Sequence, residues 1–287
     1  MSAQAITTFI LKHRNQFWLL AAMLVAFALR VYALGAQSLW NDEGNSVALA
    51  PLSLEAIANS AAHDIHPPLY YFLLHFWMPF IGNSEYAVRF LSVIAGVATV
   101  ALVSRVAYSV FDGRVAIVAA FLSAVSAFQV YYSQEARMYI WVTLWSAVSV
   151  YAMARMLEVR SWKLEVGKRE SDSATPISNL QSPISNSQSS NSRSRRRLFW
   201  LAYIAATIAA LYTQYFAASI VVAENLAFVV WLFFAWRSAV GGERSSVVGR
   251  AKRSTVKHSL AFWVAAQVIV GLAIAPWYLS VREQLAS

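Results

Sequence analysis

Apolar runs long enough to cross a bilayer recur along almost the whole chain, and this restricts its fold more than any other feature. They cover Phe17 to Leu34, Tyr86 to Phe111, Val115 to Tyr132, Met138 to Leu157, Leu198 to Phe216, Ala217 to Trp236 and Ser259 to Leu279. A helix needs about 20 apolar residues to cross ~30 Å of hydrocarbon. One such run fits a buried soluble helix, but seven in 287 residues with only 13% charged side chains do not. The expected fold class is therefore all-α: a polytopic membrane protein of about seven transmembrane helices.

The first run follows Lys12, His13 and Arg14 and resembles a secretory signal. It is longer than a signal core and contains Arg30, so it reads as a retained helix. The expected organisation is one membrane-embedded module over 1–287. A first helix at 15–35 leads to an outer loop at 36–84 with interfacial helices. Three membrane helices follow at 85–157, a disordered cytoplasmic linker at 158–197, and three more helices at 198–280. The linker reading rests on its Ser, Asn and Arg content and on the near repeat of Pro176-Ile177-Ser178-Asn179 as Pro183-Ile184-Ser185-Asn186.

The net charge of +9 would suggest nucleic acid in a soluble protein, yet the cations sit in loops between apolar runs. No nucleic-acid partner is expected. With Lys12 and Arg14 cytoplasmic, strict alternation puts Arg114, the 158–197 linker and the 237–257 loop on the cytoplasmic side. This parity requires that 69–81 not cross. Pro67, Pro68, Pro79 and Gly82 bracket that segment, and its aromatics suit the headgroup level, so it reads as an interfacial helix. The chain contains no cysteine, which excludes disulfides and thiolate chemistry.

The outer loops then collect polar groups at helix ends: Trp40-Asn41-Asp42-Glu43, Asp64-Ile65-His66-Pro67-Pro68, Gln134-Glu135-Ala136-Arg137 and Tyr212-Thr213-Gln214-Tyr215. Each has a plainer reading taken alone. Asp42 and Glu43 fit a solvated loop, His66 a headgroup contact, Arg89 and Arg137 snorkelling to lipid phosphate, and Tyr212 and Tyr215 an interfacial belt. Together they point to a functional cavity, because ionisable groups are costly beside hydrocarbon. A carboxylate there can take a proton from an attacking hydroxyl, and a guanidinium fork can hold a phosphate. Glu135 and His66 are the candidate ligands if a divalent metal ion takes part. Glu224, Asn225 and Gln267 read as polar residues packing helices together.

Ser38-Leu39-Trp40-Asn41-Asp42-Glu43, His66-Pro67-Pro68-Leu69-Tyr70-Tyr71, Ser84-Glu85-Tyr86-Ala87-Val88-Arg89, Ser133-Gln134-Glu135-Ala136-Arg137-Met138-Tyr139 and Leu211-Tyr212-Thr213-Gln214-Tyr215-Phe216 together resemble the GT-C superfamily of membrane glycosyltransferases. The similar branch includes protein O-mannosyltransferases, aminoarabinose transferases and rhizobial lipopolysaccharide-core transferases. The resemblance implies a transferase of the cytoplasmic membrane, working on its extracytoplasmic face in lipopolysaccharide or cell-envelope biosynthesis. It would move a sugar from a polyprenyl-phosphate carrier, with inversion, to a hydroxyl of a lipid, glycan or protein acceptor. Asp42 would be the catalytic base beside Glu43. His66, Arg137, Arg89, Tyr139 and Gln214 would bind substrate or lipid phosphate; many relatives carry His in place of Gln214. The resemblance also implies that the chain is part of a longer enzyme with further helices. The alternative readings are a polytopic transporter and a non-catalytic membrane scaffold.

Overall fold

The computed structural model describes residues 3–64, 66–157, 187–240 and 247–286. All regular structure among them is helical. In chain order the helices are α1 (Ala3–Val31), α2 (Asn41–Leu49), α3 (Leu54–Ala62), α4 (Leu69–Ile81), α5 (Glu85–Val110), α6 (Gly113–Val125), α7 (Ala127–Ser133), α8 (Tyr139–Met156), α9 (Ser187–Thr213), α10 (Ala217–Val240) and α11 (Val247–Ala286).

Among the described residues three segments are individually long and apolar enough to span: Glu85–Val110, Ala217–Arg237 and Val256–Arg282. The α6–α7 pair is a fourth if its 57° bend lies within one crossing. Each of the seven apolar runs lies on helix, the run from Val115 to Tyr132 on the α6–α7 pair. The apolar part of α1, Asn15–Val31, is too short by itself. Helix α8 is diluted by Trp, Tyr and Ser, and α9 opens with a polar stretch. Most of the expected linker, 158–186, lies outside the described residues; its last residues, from Ser187, already belong to α9. A helix can project past the hydrocarbon, since its backbone bonds close internally.

Two helical groups share α8. In the first, α1, α5 and α6 meet through small side chains, Ala22, Ala26, Ala120 and Ala124 around Val100, which allow close backbone approach. In the second, α8 to α11 pack round Trp200, Tyr203, Phe228 and Trp263, with Phe228 stacked on Trp263 at 4.3 Å. Aliphatic side chains such as Leu24, Leu122, Val230 and Leu272 are exposed on the outer surfaces, as lipid-facing positions require.

Helices α2 to α4 lie within 36–84 and form a small cap. Ser53 opens α3 by accepting from the Ala56 N–H, and Gly82, at φ 98°, ends α4 in a backbone conformation that favours glycine. His75 Nδ1 lies 2.7 Å from the Ala50 carbonyl, and Trp77 Nε1 donates to the Ala87 carbonyl at 2.8 Å. These contacts tie α4 to α2 and α5. Tyr70, Tyr71 and Leu74 of α4 are buried, whereas Phe76, Phe80 and Ile81 are exposed, so the helix has one face for protein and one for an interface.

Candidate active site

The loop between α7 and α8 organises the site residue by residue. Ser133 Oγ accepts from Arg30 Nε at 3.1 Å and donates to the Gln129 carbonyl. Gln134 Nε2 reaches the Leu29, Arg30 and Tyr32 carbonyls and so closes the free end of α1. The Ala136 N–H donates to Glu43 Oε1 at 2.7 Å. Arg137 Nη1 donates to the Asp42 carbonyl at 3.2 Å and to Ser46 Oγ at 3.3 Å. Four of the residues from 133 to 137 thereby join the first helix, the cap and the site.

Asp42 and Arg137 meet. Arg137 Nη2 lies 3.5 Å from Asp42 Oδ2; the arginine side chain is buried and the aspartate side chain is 39% exposed. Arg137 Nε is buried with no hydrogen-bond partner among the described residues. Its guanidinium carbon lies 5.9 Å from the centre of the Tyr139 ring. The Tyr71 hydroxyl donates to Asp64 Oδ2 at 3.4 Å, and Asp64 pairs with His66 Nδ1 at 3.3 Å. Burial pushes the Tyr71 hydroxyl up to about 12, with the Arg137 charge opposing it.

Glu43 and Arg89 are placed otherwise. Glu43 has no exposed surface, and Arg89 grips it through Nε to Oε1 at 2.9 Å and Nη2 to Oε2 at 2.6 Å. The remaining Arg89 donors go to the Leu34, Gln37 and Ser38 carbonyls, so all five N–H groups of the guanidinium are engaged. Burial raises the Glu43 carboxyl. The Arg89 hydrogen bonds and charge, with the Ala136 and Trp40 N–H groups, outweigh that and hold it below the ordinary carboxylate range.

Two cavities of about 700 Å³ each flank α7. The first is lined by His66, Phe128, Tyr132, Tyr139, Val142, Thr143, Gln214, Tyr215 and Phe216, so three sequence candidates, His66, Tyr139 and Gln214, share one wall. Gln214 is held by the short turn between α9 and α10, where its Oε1 accepts from the Tyr215 N–H. The second cavity takes Tyr131, Gln134 and Glu135 on one side and Trp40, Glu43 and Arg89 on the other. Glu135 and His66, the pair proposed from sequence as metal ligands, thus line different cavities. No group of three His, Cys, Asp or Glu able to hold a metal ion occurs among the described residues. The residues present do not fit that metal site.

Arg30 was not among the sequence candidates. It has no exposed surface, and besides Ser133 it binds the Ala26 and Ala124 carbonyls at 3.1 Å and the Ser123 carbonyl at 3.4 Å. The signal was available as an arginine inside an apolar run, which demands an internal partner.

The helical bundle with its small helical cap has the fold of solved structures of a protein O-mannosyltransferase and an oligosaccharyltransferase. The model of the dolichyl-phosphate-mannose-protein mannosyltransferase family matches residues 65–166. The S. cerevisiae protein O-mannosyltransferase Pmt1–Pmt2 complex bound to the sugar donor superposes with a TM-score of 0.58 at 16% identity, covering 93% of this chain and 34% of that one. The Archaeoglobus fulgidus oligosaccharyltransferase in its apo form gives 0.58 at 16% identity, over 92% of this chain and 29% of that one. Tethered to an acceptor peptide, the same enzyme gives 0.60 at 15%, over 94% and 30%. The chain spans about a third of the length of these structures. No curated protein sequence matches it.

Proposed function

We propose that this chain is a membrane module of a glycosyltransferase that moves a sugar from a polyprenyl-phosphate carrier to an acceptor hydroxyl. The observation that carries the reading is the half-exposed Asp42 carboxylate 3.5 Å from the buried Arg137, with Tyr139 linking that pair to the apolar cavity that His66 lines. The family model over 65–166, named for a dolichyl-phosphate-linked donor, supports the donor class.

The chemistry asks for little more than this arrangement. Lipid phosphate is a fair leaving group, so the protein must supply a base, positive partners for the phosphate and alignment away from bulk water. Asp42 accepts the proton of the acceptor hydroxyl as its oxygen bonds to the anomeric carbon. The bond from that carbon to the phosphate oxygen breaks on the opposite side, which inverts the centre. Arg137 and His66 receive the departing phosphate, and the carrier's hydrocarbon lies along Phe128, Tyr132, Val142 and Phe216, with Gln214 and Tyr139 at the polar end. Arg89 has no donor to spare, so it and Glu43 are positioning residues that hold the cap against α5. Arg114, Arg196, Arg197 and Lys257 belong to the opposite helix ends, which supports a multi-pass protein of the cytoplasmic membrane with its site on the extracytoplasmic face. Cell-envelope or lipopolysaccharide assembly is the corresponding setting.

Transfer from a panel of polyprenyl-phosphate sugars, measured in membranes containing the natural protein, tests the reading. Asp42→Asn should lower turnover by about 10²- to 10⁴-fold, the usual contribution of a general base. Arg137→Ala should weaken donor use above all. Near-normal turnover of Asp42→Asn would remove Asp42 from the mechanism.

A further inference from the structure

The transfer chemistry above gives Asp64 no part, yet its carboxylate touches two residues of the site. It stands in the short loop between α3 and α4, two residues before His66. Asp64 Oδ2 lies 3.3 Å from His66 Nδ1 and accepts from the Tyr71 hydroxyl at 3.4 Å, so one oxygen gathers both. Tyr71 is buried in α4, and its hydroxyl, pushed up to about 12, keeps its proton and is the donor. The Arg137 charge acts on that same hydroxyl. Asp64 is thereby tied to α4 on one side and to a cavity-lining ring on the other.

Two constraints act on the His66 ring. Pro67 follows it and disfavours the helical backbone region, which restricts the course of the chain from which the ring projects. The partner of Nδ1 then decides how the imidazole is turned and which nitrogen carries the proton. A carboxylate only accepts, so the nitrogen beside it is protonated in the neutral ring and in the cation alike. Among the described residues Nε2 bonds nothing, and His66 lines the cavity, so Nε2 is the nitrogen left for a ligand. Carboxylates orient metal-bound imidazoles in the same way. We propose that Asp64 is a positioning residue: it fixes the His66 ring with Nδ1 protonated and leaves Nε2 to meet the lipid phosphate of the donor. The inference rests on the transferase reading only in naming that phosphate. The Asp64 side chain is 45% exposed, so water competes for it and the effect of its loss is moderate.

Nitrogen NMR of histidine-labelled protein in lipid nanodiscs reads the ring directly, the His66 signals being those lost in His66→Gln. At a pH well above ~6.5, where the ring is neutral, the wild type should carry its proton on Nδ1. Asp64→Ala should move that proton toward Nε2, and Asp64→Asn, whose amide oxygen still accepts, should keep more of it on Nδ1. In transfer assays Asp64→Ala should raise the donor KM by about three- to tenfold, more than it lowers kcat, with Asp64→Asn and Tyr71→Phe smaller in the same direction. A thermal melt of each variant separates a lost contact from a lost fold, and the wild-type ring needs no variant of Asp64. A wild-type ring protonated on Nε2, a proton distribution unchanged in Asp64→Ala, or a donor KM unchanged in that variant would overturn the proposal. If the wild type transfers no sugar, the transferase reading falls by itself, and the ring measurement decides this one.

Discussion

A carboxylate with no exposed surface keeps its charge only when its surroundings return what burial removes, and for Glu43 that means Arg89 and two backbone N–H groups. Removing one partner strands the other, so Glu43→Ala should cost about 3–5 kcal/mol, read from denaturant unfolding. The Glu43 carboxyl titrates below its unfolded value of ~4.3. Its stabilisation is complete above that pH and is lost as the pH falls through the folded value. Melting temperature should therefore drop in acid below about pH 4.3, and Glu43→Gln should flatten that part of the profile. An unchanged acid limb in Glu43→Gln would count against the clamp. Asp42 and Arg137 were legible in the sequence because polar residues at helix ends stand out against apolar runs. The pairing of Glu43 with Arg89 was not, because the partners lie 46 residues apart and each fits a solvated or snorkelling role alone. Local sequence shows which groups must be satisfied, and only the tertiary fold shows by whom.

The same limit holds for elements. The run from Val115 to Tyr132 reads as one helix, with no proline or glycine inside it, yet the chain breaks at Ser126 and turns by 57°. Ser126 caps the new helix through the Gln129 N–H, and Arg30 takes up the carbonyls of Ser123 and Ala124 freed at the end of α6. Room for this comes from Gly96 of α5. A methyl group there would collide with Ser133 Oγ and stand 2.8 Å from Arg30 Nε. Gly96→Ala should thus destabilise by about 1–3 kcal/mol, as overpacking does. It should also speed hydrogen exchange over 133–138, and exchange there as slow as in the wild type would show that Arg30 does not hold the loop. What sequence did show was a separate short helix over 69–81, because its bracketing prolines, glycine and aromatics are local signals.

Across the whole molecule, the alternation of basic and polar loops put the cap, the α7–α8 loop and the α9–α10 turn at one end, and the fold brings their residues round the two cavities. The two cavities were not legible, since Tyr131 and Tyr132 are neighbours in sequence and line different ones. Because the chain has no cysteine, single introduced thiols report orientation cleanly. Leu52→Cys should react with a membrane-impermeant maleimide in intact cells, and Asp112→Cys only after permeabilisation; the reverse pattern would invert the topology. The most direct test of the central claim is a cryo-electron microscopy structure of the natural protein with a polyprenyl-phosphate sugar bound. The phosphate should lie between Arg137 and His66, with Asp42 on the opposite side of the anomeric carbon and the hydrocarbon along Phe128 and Phe216. A phosphate beside Arg89 in the second cavity, or one remote from Asp42, would contradict it.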